Sequence, residues 1–224
     1  MPGTLGFRHV LRGGRMIGIL GGTFDPVHFG HLQTAQQVYL QLGLERVIFV
    51  PAANPPHRTP PVASIEDRIR MLQLALPTYA GFELDDREQR LGGISYTVRT
   101  LESFRDELGD HPLGLIMGAD AFAGFETWHR WQDILDLAHL LVMNRPGTSV
   151  SVLPDWANSR VSEEFNVLEN SAGGRIYLLS LEPVAISATE IRAALQRSES
   201  VAGKLPESVI EYIETNNLYK QVIN

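Results

Sequence analysis

The sequence contains no cysteine in its 224 residues. That excludes disulfides, thiol nucleophiles and cysteine-bound zinc, and it suits a reducing compartment. It also lacks any apolar run near the ~20 residues that a membrane-spanning helix needs. Positive charge is scarce: 19 Lys and Arg against 26 Asp and Glu leave a formal net charge of −7. A chain with that balance is not built for wholesale binding to nucleic acid or to an anionic membrane. Any phosphate it holds must be met by a few placed Arg, His and backbone N–H groups. The first fifteen residues, MPGTLGFRHVLRGGR, carry three arginines but no acid and no serine, and they lack the apolar core of a signal peptide. They are expected to be a disordered or non-native extension. A single domain is then expected over residues 16–224.

What is present is ordinary for a globular chain, with 44% hydrophobic and 20% charged residues. A chain of this length buries roughly 70% of its unfolded surface, enough for a real core. Short apolar runs alternate with helical spacing. Strands are predicted at 16–20, 46–50, 82–84, 113–117, 139–143 and 175–179. Helices are predicted at 30–42, from an N-cap at Ser64 to about 76, at 96–108 ending on Gly109, at 129–137, at 188–196 and at 206–215. Residues 86–94 read as a polar loop, and 148–174 as irregular. Alternation of this kind predicts an α/β fold, a doubly wound parallel sheet with helices on both faces and at the C-terminus. In such sheets ligands bind beyond the carboxyl ends of the strands, so the loops after strands are where chemistry is sought.

The loop after the first strand reads GGTFDPVHFGH, residues 21–31. Gly21 and Gly22 allow close approach of a ligand to the backbone. The helix starting near Gly30 aims its N–H groups and positive dipole end into the same space, which suits an anion. His28 and His31, three apart at that helix start, fall on one face. Two imidazoles there suit a triphosphate. Half of a zinc site is the competing reading, with Asp25 as a third ligand and no fourth in view. Near the other end stands ISATEIR, residues 186–192. Ser187 and Glu190 fit a capping box, so a second helix start offers Ser187, Thr189 and Arg192 to phosphate. An ordinary well-capped surface helix explains the same residues.

GGTFDPVHFGH resembles the signature of the nucleotidyltransferase superfamily that carries an HxGH motif. ISATEIR resembles that superfamily's second motif, ISSTxxR, with Ala188 in place of one serine and its backbone N–H retained. The two motifs bracket roughly residues 16–219. The resemblance implies a Rossmann-like nucleotidyltransferase fold and transfer of a nucleotide from a triphosphate with release of pyrophosphate. It makes His28, His31 and Arg192 the catalytic set. It assigns ATP to Gly21, Gly22, Thr23, Phe24, His28, His31, Ser187, Thr189 and Arg192.

Further stretches resemble the bacterial nicotinate mononucleotide adenylyltransferases within that superfamily. They are Asn54-Pro55-Pro56-His57-Arg58, Ser95-Tyr96-Thr97 with Thr100-Leu101, Gly118-Ala119-Asp120, Trp128, and AHLLVMNRPG at 138–147. The resemblance implies that Asn54, His57, Arg58, Thr97, Asp120 and Trp128 hold the acceptor. Asp120 would bind ribose hydroxyls, and Trp128 would stack on the pyridine ring. Read without it, the same residues are a proline-rich surface loop, a helix capped by Ser95, and a tryptophan that fills core as Trp131 is expected to do. The implied substrates are ATP and nicotinate mononucleotide. Mg²⁺ would enter through the ATP phosphates and no protein metal ligands would be needed. The implied location is the cytoplasm, with room for a homo-oligomer. Three alternatives stay open: a sister enzyme acting on pantetheine phosphate, a non-catalytic nucleotide sensor, and a metallohydrolase built on His28, His31 and Asp25.

Overall fold

The computed structural model describes residues 15–56, 60–144 and 153–220. The expected N-terminal extension lies outside the described residues, Arg15 excepted, as does the Arg145-Pro146-Gly147 turn.

The apolar run after Arg15 forms β1 (Ile17–Gly22), and the loop beyond it leads into α1 (Phe29–Leu42). Leu32, Ala35 and Val38 of α1 are buried, as their helical spacing requires. Gly43 ends the helix in the left-handed region at φ 62, where its N–H bonds to the Tyr39 carbonyl. The chain continues through β2 (Arg46–Pro51), α2 (Ile65–Ala75), β3 (Phe82–Leu84), α3 (Arg87–Leu91), α4 (Thr97–Leu108) and β4 (Leu113–Gly118). It then runs through α5 (Ala119–Ala123), α6 (Trp131–Leu137), β5 (His139–Asn144), α7 (Asp155–Asn158), β6 (Ile176–Ser180), α8 (Ala188–Gln196) and α9 (Glu207–Thr215). The sheet is parallel throughout, in the order β3-β2-β1-β4-β5-β6. This is the doubly wound arrangement that the alternation predicts.

Side chains alternate between two apolar layers. Ile17 and Ile19 of β1 join Ile48, Val50, Leu113 and Leu115 on one face, against Val98, Leu101 and Phe104 of α4. Met16 and Leu20 join Val47, Phe49 and Ile116 on the other, with residues of α1, α2, α8 and α9. Gly18 sits where a Cβ would come within 2.9 Å of Ile116 Cδ1 and Leu44 Cδ1, so that layer has no room for a larger residue. The strand order reverses between β1 and β4. Their carboxyl ends, Gly22 and Gly118, therefore open on one crevice.

Local departures from expectation each have a tertiary cause. Residues 87–91 form a helix within the polar stretch 86–94. Arg87 lies buried with its guanidinium carbon 3.3 Å from the centroid of the Phe104 ring, and it bonds Asp85, Ser103 and Glu107. Those partners hold a turn that hydrophobic periodicity does not reveal. Within 148–174, the turn α7 and a 3₁₀ helix at Phe165–Asn170 are ordered. Trp156 of α7 packs on Trp131 at 4.9 Å between ring centroids, which anchors that segment.

Candidate active site

His28 is the N-cap of α1, with extended backbone at φ −148 and ψ 168. His31 lies one turn on. Their rings stack, with centroids 3.8 Å apart and planes at 23°, so the expected common face exists. Phe24 meets the His31 ring edge-on at 5.0 Å. Phe24 itself has φ 49 and folds back beneath Gly22, where a Cβ would lie 2.8 Å from the Phe24 ring. A Cβ on Gly30 would lie 2.8 Å from the His28 ring and 2.9 Å from the Ile186 carbonyl oxygen. The glycine between the two histidines is thus the place where the second motif's backbone crosses the first.

Both imidazoles are held neutral. Burial lowers the His28 pKa to about 4. Burial, with His28 beside it, lowers that of His31 to about 3. Each Nδ1 is buried without a hydrogen-bond partner, so a proton there has nothing to answer its charge in the free protein.

Helix starts contribute unequally. At α1, the Phe29 N–H donates to the Lys204 carbonyl and the His31 N–H to the His28 carbonyl. This helix start therefore offers fewer donors to an anion than the sequence suggests. At α8, Ser187 is the N-cap but makes no side-chain cap bond, so the expected capping box with Glu190 is not formed. The first helical N–H to bond within the chain there is that of Ile191, to Ser187. The N–H groups of Ala188, Thr189 and Glu190 and the Ser187 hydroxyl remain for a ligand. Arg192, about a quarter exposed, donates to the Asp25 carbonyl at 2.7 Å and lies 3.5 Å from Thr189 Oγ1. Asp25 and Arg192 are 167 residues apart in the chain. The two motifs are one site.

Asp25 is engaged elsewhere. Its carboxylate accepts from the N–H groups of Val62 and Ala63 at 2.8 and 3.1 Å and from the Tyr219 hydroxyl at 2.7 Å. Among the described residues no group of three or more His, Cys, Asp or Glu comes together. The metallohydrolase reading thus loses Asp25 as a third ligand. The groups that do converge are imidazoles, a guanidinium and amides, which suit phosphate oxygens rather than a bare cation.

A second rim forms beside β2 and β4. The Asn54 N–H donates to Ser95 Oγ at 2.8 Å, and the Ser95 N–H returns a bond to the Asn54 carbonyl at 3.0 Å. Ser95 is therefore not the cap of α4. The N-cap is Tyr96, without a side-chain bond, because the serine hydroxyl joins the two loops instead. Tyr96 stacks on His129 at 4.2 Å, which draws in Trp128. Trp128 is half-buried against Phe125. Trp131 packs on Phe125 and Trp156, in the core role expected of it. The Asn54 loop is thereby joined to the start of α4, which carries Thr97, and Tyr96 there meets the chain neighbour of Trp128. Asp120 stands exposed in α5, just past the end of β4. His57 and Arg58 lie outside the described residues.

Two residues of the site escaped sequence reasoning. Arg68, 1% exposed, donates to the carbonyls of Thr23, Ala52 and Ala63. It ties the loops after β1 and β2 to the start of α2. Its signal was available: it falls on the apolar face of α2, beside Ile69 and Leu72. Glu88 of α3 accepts from Thr100 Oγ1 at 2.7 Å and from the Ala53 N–H at 3.4 Å. Nothing in the local sequence marks it.

Residues 19–194 match the cytidylyltransferase-like family model. A protein of Dechloromonas aromatica is 44% identical over 211 residues, 91% of this chain and 97% of its own length, and one of Methylococcus capsulatus is 44% identical over 208 residues, 91% and 99%. Both carry the name "Probable nicotinate-nucleotide adenylyltransferase". The solved nicotinic acid mononucleotide adenylyltransferase of Plasmodium falciparum, complexed with NaAD, superposes with a TM-score of 0.71 at 16% identity, covering 92% of this chain and 97% of its own. The fold is thus shared well beyond the range of close sequence likeness. The chain belongs to the cytidylyltransferase-like family and, within it, to the nicotinate-nucleotide adenylyltransferases.

Proposed function

We propose that this protein transfers AMP from ATP to nicotinate mononucleotide, giving nicotinate adenine dinucleotide and pyrophosphate, a step of NAD synthesis. The observation that carries this reading is the convergence of the stacked His28–His31 pair with Arg192 and the open start of α8. The relatives named above support the acceptor, as does the Asn54–Ser95 junction that ties the loop after β2 to the start of α4. A phosphate oxygen of the acceptor attacks the ATP α-phosphorus. The new P–O bond forms as the bond to the β-phosphate bridging oxygen breaks, and pyrophosphate leaves with that electron pair. The acceptor phosphate is already ionised at neutral pH, so no side-chain nucleophile is required. Catalysis then consists of positioning and stabilisation of charge.

Arg192 and the α8 amides face the triphosphate. His28 and His31 lie along the same oxygens, first as neutral donors. Binding of the polyanion favours their protonation, and the charge that builds on the leaving group favours it further. Mg²⁺ would be carried in by the ATP phosphates and would supply neutralisation of their charge, with no protein side chain assigned to hold it. The cytoplasm is the proposed location, in keeping with the absence of cysteine.

The test is pyrophosphate release from ATP with nicotinate mononucleotide, nicotinamide mononucleotide or pantetheine phosphate as acceptor. The nicotinate compound is expected to give the highest kcat/KM. Turnover with pantetheine phosphate alone overturns the acceptor assignment. Tight ATP binding with no turnover on any acceptor favours a nucleotide sensor.

A further inference from the structure

Asp25 sits at the junction of four chain segments. Its carboxylate accepts from the backbone before α2, through Val62 and Ala63, and from Tyr219 near the C-terminal end of the described chain. Its carbonyl receives Arg192 of α8. Asp25 and Tyr219 are each 5% exposed, and 194 residues separate them. Tyr219 adopts φ 62, a conformation unusual for a tyrosine. Tertiary contact therefore holds it in place.

Arg192 Nη1 lies 4.0 Å from Asp25 Oδ2, too far for a hydrogen bond, while the same nitrogen is 2.7 Å from the Asp25 carbonyl oxygen. A buried carboxylate and a guanidinium this close would ordinarily close into a bidentate pair. Here the Ala63 N–H and the Tyr219 hydroxyl hold Oδ1 and the Val62 N–H holds Oδ2, so the carboxylate is fixed in an orientation that leaves Oδ2 short of Arg192.

We infer that Tyr219 is a positioning residue for nucleotidyl transfer: its hydroxyl holds Asp25 so that Arg192 stays available to the triphosphate instead of pairing with that carboxylate. The inference rests on the proposed reading of Arg192 as a triphosphate ligand. Burial and the neighbouring Asp25 push the Tyr219 phenol far above its ordinary range, so it remains a donor at every working pH. Without that donor the Asp25 carboxylate is free to turn, Oδ2 closes its 4.0 Å gap to Arg192 Nη1, and Arg192 turns inward.

The experiment compares the full-length wild type with Tyr219→Phe and with Tyr219→p-aminophenylalanine, which keeps a donor at the same place. ATP affinity is read by titration calorimetry without acceptor, kcat and both KM values by pyrophosphate release, and folding by thermal unfolding. Tyr219→Phe is expected to raise the ATP Kd and KM about tenfold while leaving the nicotinate mononucleotide KM within about twofold. The amino variant is expected to stay within about threefold of wild type throughout. If Tyr219→Phe does not fold, Tyr219→p-methylphenylalanine supplies the same bulk without a donor and takes its place. An unchanged ATP Kd in the donor-free variant overturns the inference. So does an equal loss in donor-free and donor-retaining variants, or a loss shared evenly by both substrates, since a merely structural anchor predicts those. Calorimetry needs no turnover. A wild type that binds ATP but does not turn over nicotinate mononucleotide refutes the proposed reaction and leaves the Tyr219 comparison decisive.

Discussion

His31 illustrates how burial turns a common residue into a specialised one. Its ring is stacked on His28, edged by Phe24 and kept neutral. A neutral imidazole in a dry site becomes a strong donor to a developing negative charge. His31→Ala is therefore expected to lower kcat on the order of 10²–10³ in a pyrophosphate assay, with a smaller change in the KM for the acceptor. The depressed pKa values have a second consequence. With pKa values of about 4 and about 3 in the free protein, both rings are unprotonated at pH 6. A bound polyphosphate stabilises their charged forms, so ATP binding should take up protons, and more of them at pH 6 than at pH 8. Calorimetric titration in buffers of different ionisation enthalpy measures this directly. Equal heats in all buffers would exclude protonation of the pair on binding. Gly30 shows the same logic without charge: a Cβ there would strike both the His28 ring and the Ile186 carbonyl, so the motif needs glycine for space rather than for an unusual φ.

Among elements, the two helix starts divide the labour in a way their sequences conceal. α1 carries the histidines but uses its Phe29 N–H on the Lys204 carbonyl, whereas α8 keeps its first amides open. The loop after β2 and the start of α4 depend on each other through the reciprocal Asn54–Ser95 bonds. Ser95→Ala removes one of the two. Its loss, about 1 kcal/mol for a bond of this kind, should appear as a severalfold rise in the KM for nicotinate mononucleotide. The KM for ATP should be unchanged, since α1 and α8 are untouched. Steady-state kinetics with each substrate varied in turn separates the two. A rise confined to the ATP KM would show that this junction serves the other substrate. Ser95 also shows why a cap is hard to assign from sequence: a hydroxyl near a helix start bonds whichever N–H tertiary structure brings to it.

Across the whole molecule, pH links the site to stability. His28 and His31 have folded pKa values below the ordinary value near 6.5. The unfolded chain therefore binds more protons than the folded one between that value and the folded pKa values. Stability from this pair is fully present above about pH 6.5 and falls as pH drops towards 4. Between pH 7.5 and 4.5 the loss should be on the order of 5 kcal/mol. Urea unfolding at pH 7.5 and 4.5 measures it, and His31→Ala should flatten the dependence. His139 pulls the same way. It is fully buried and bonded to Ser171 and Arg175, and burial lowers its pKa as the largest cause.

Much of this molecule was legible before folding was considered. Alternating apolar runs and helical spacing specify a parallel sheet covered on both faces, because strand and helix periods are local properties of the chain. The glycine pair, the two histidines and the Ser187–Arg192 stretch announce phosphate chemistry, because donor type and spacing are local too. Tertiary structure alone decided the rest. It placed the ends of β1 and β4 side by side, set Ile186 across Gly30, and buried the imidazoles deeply enough to keep them neutral. It gave Asp25 to Tyr219 and two backbone amides, and it used Arg68 to join three loops. Each of those outcomes depends on burial or on contacts between residues far apart in the chain, and neither is written in any one segment.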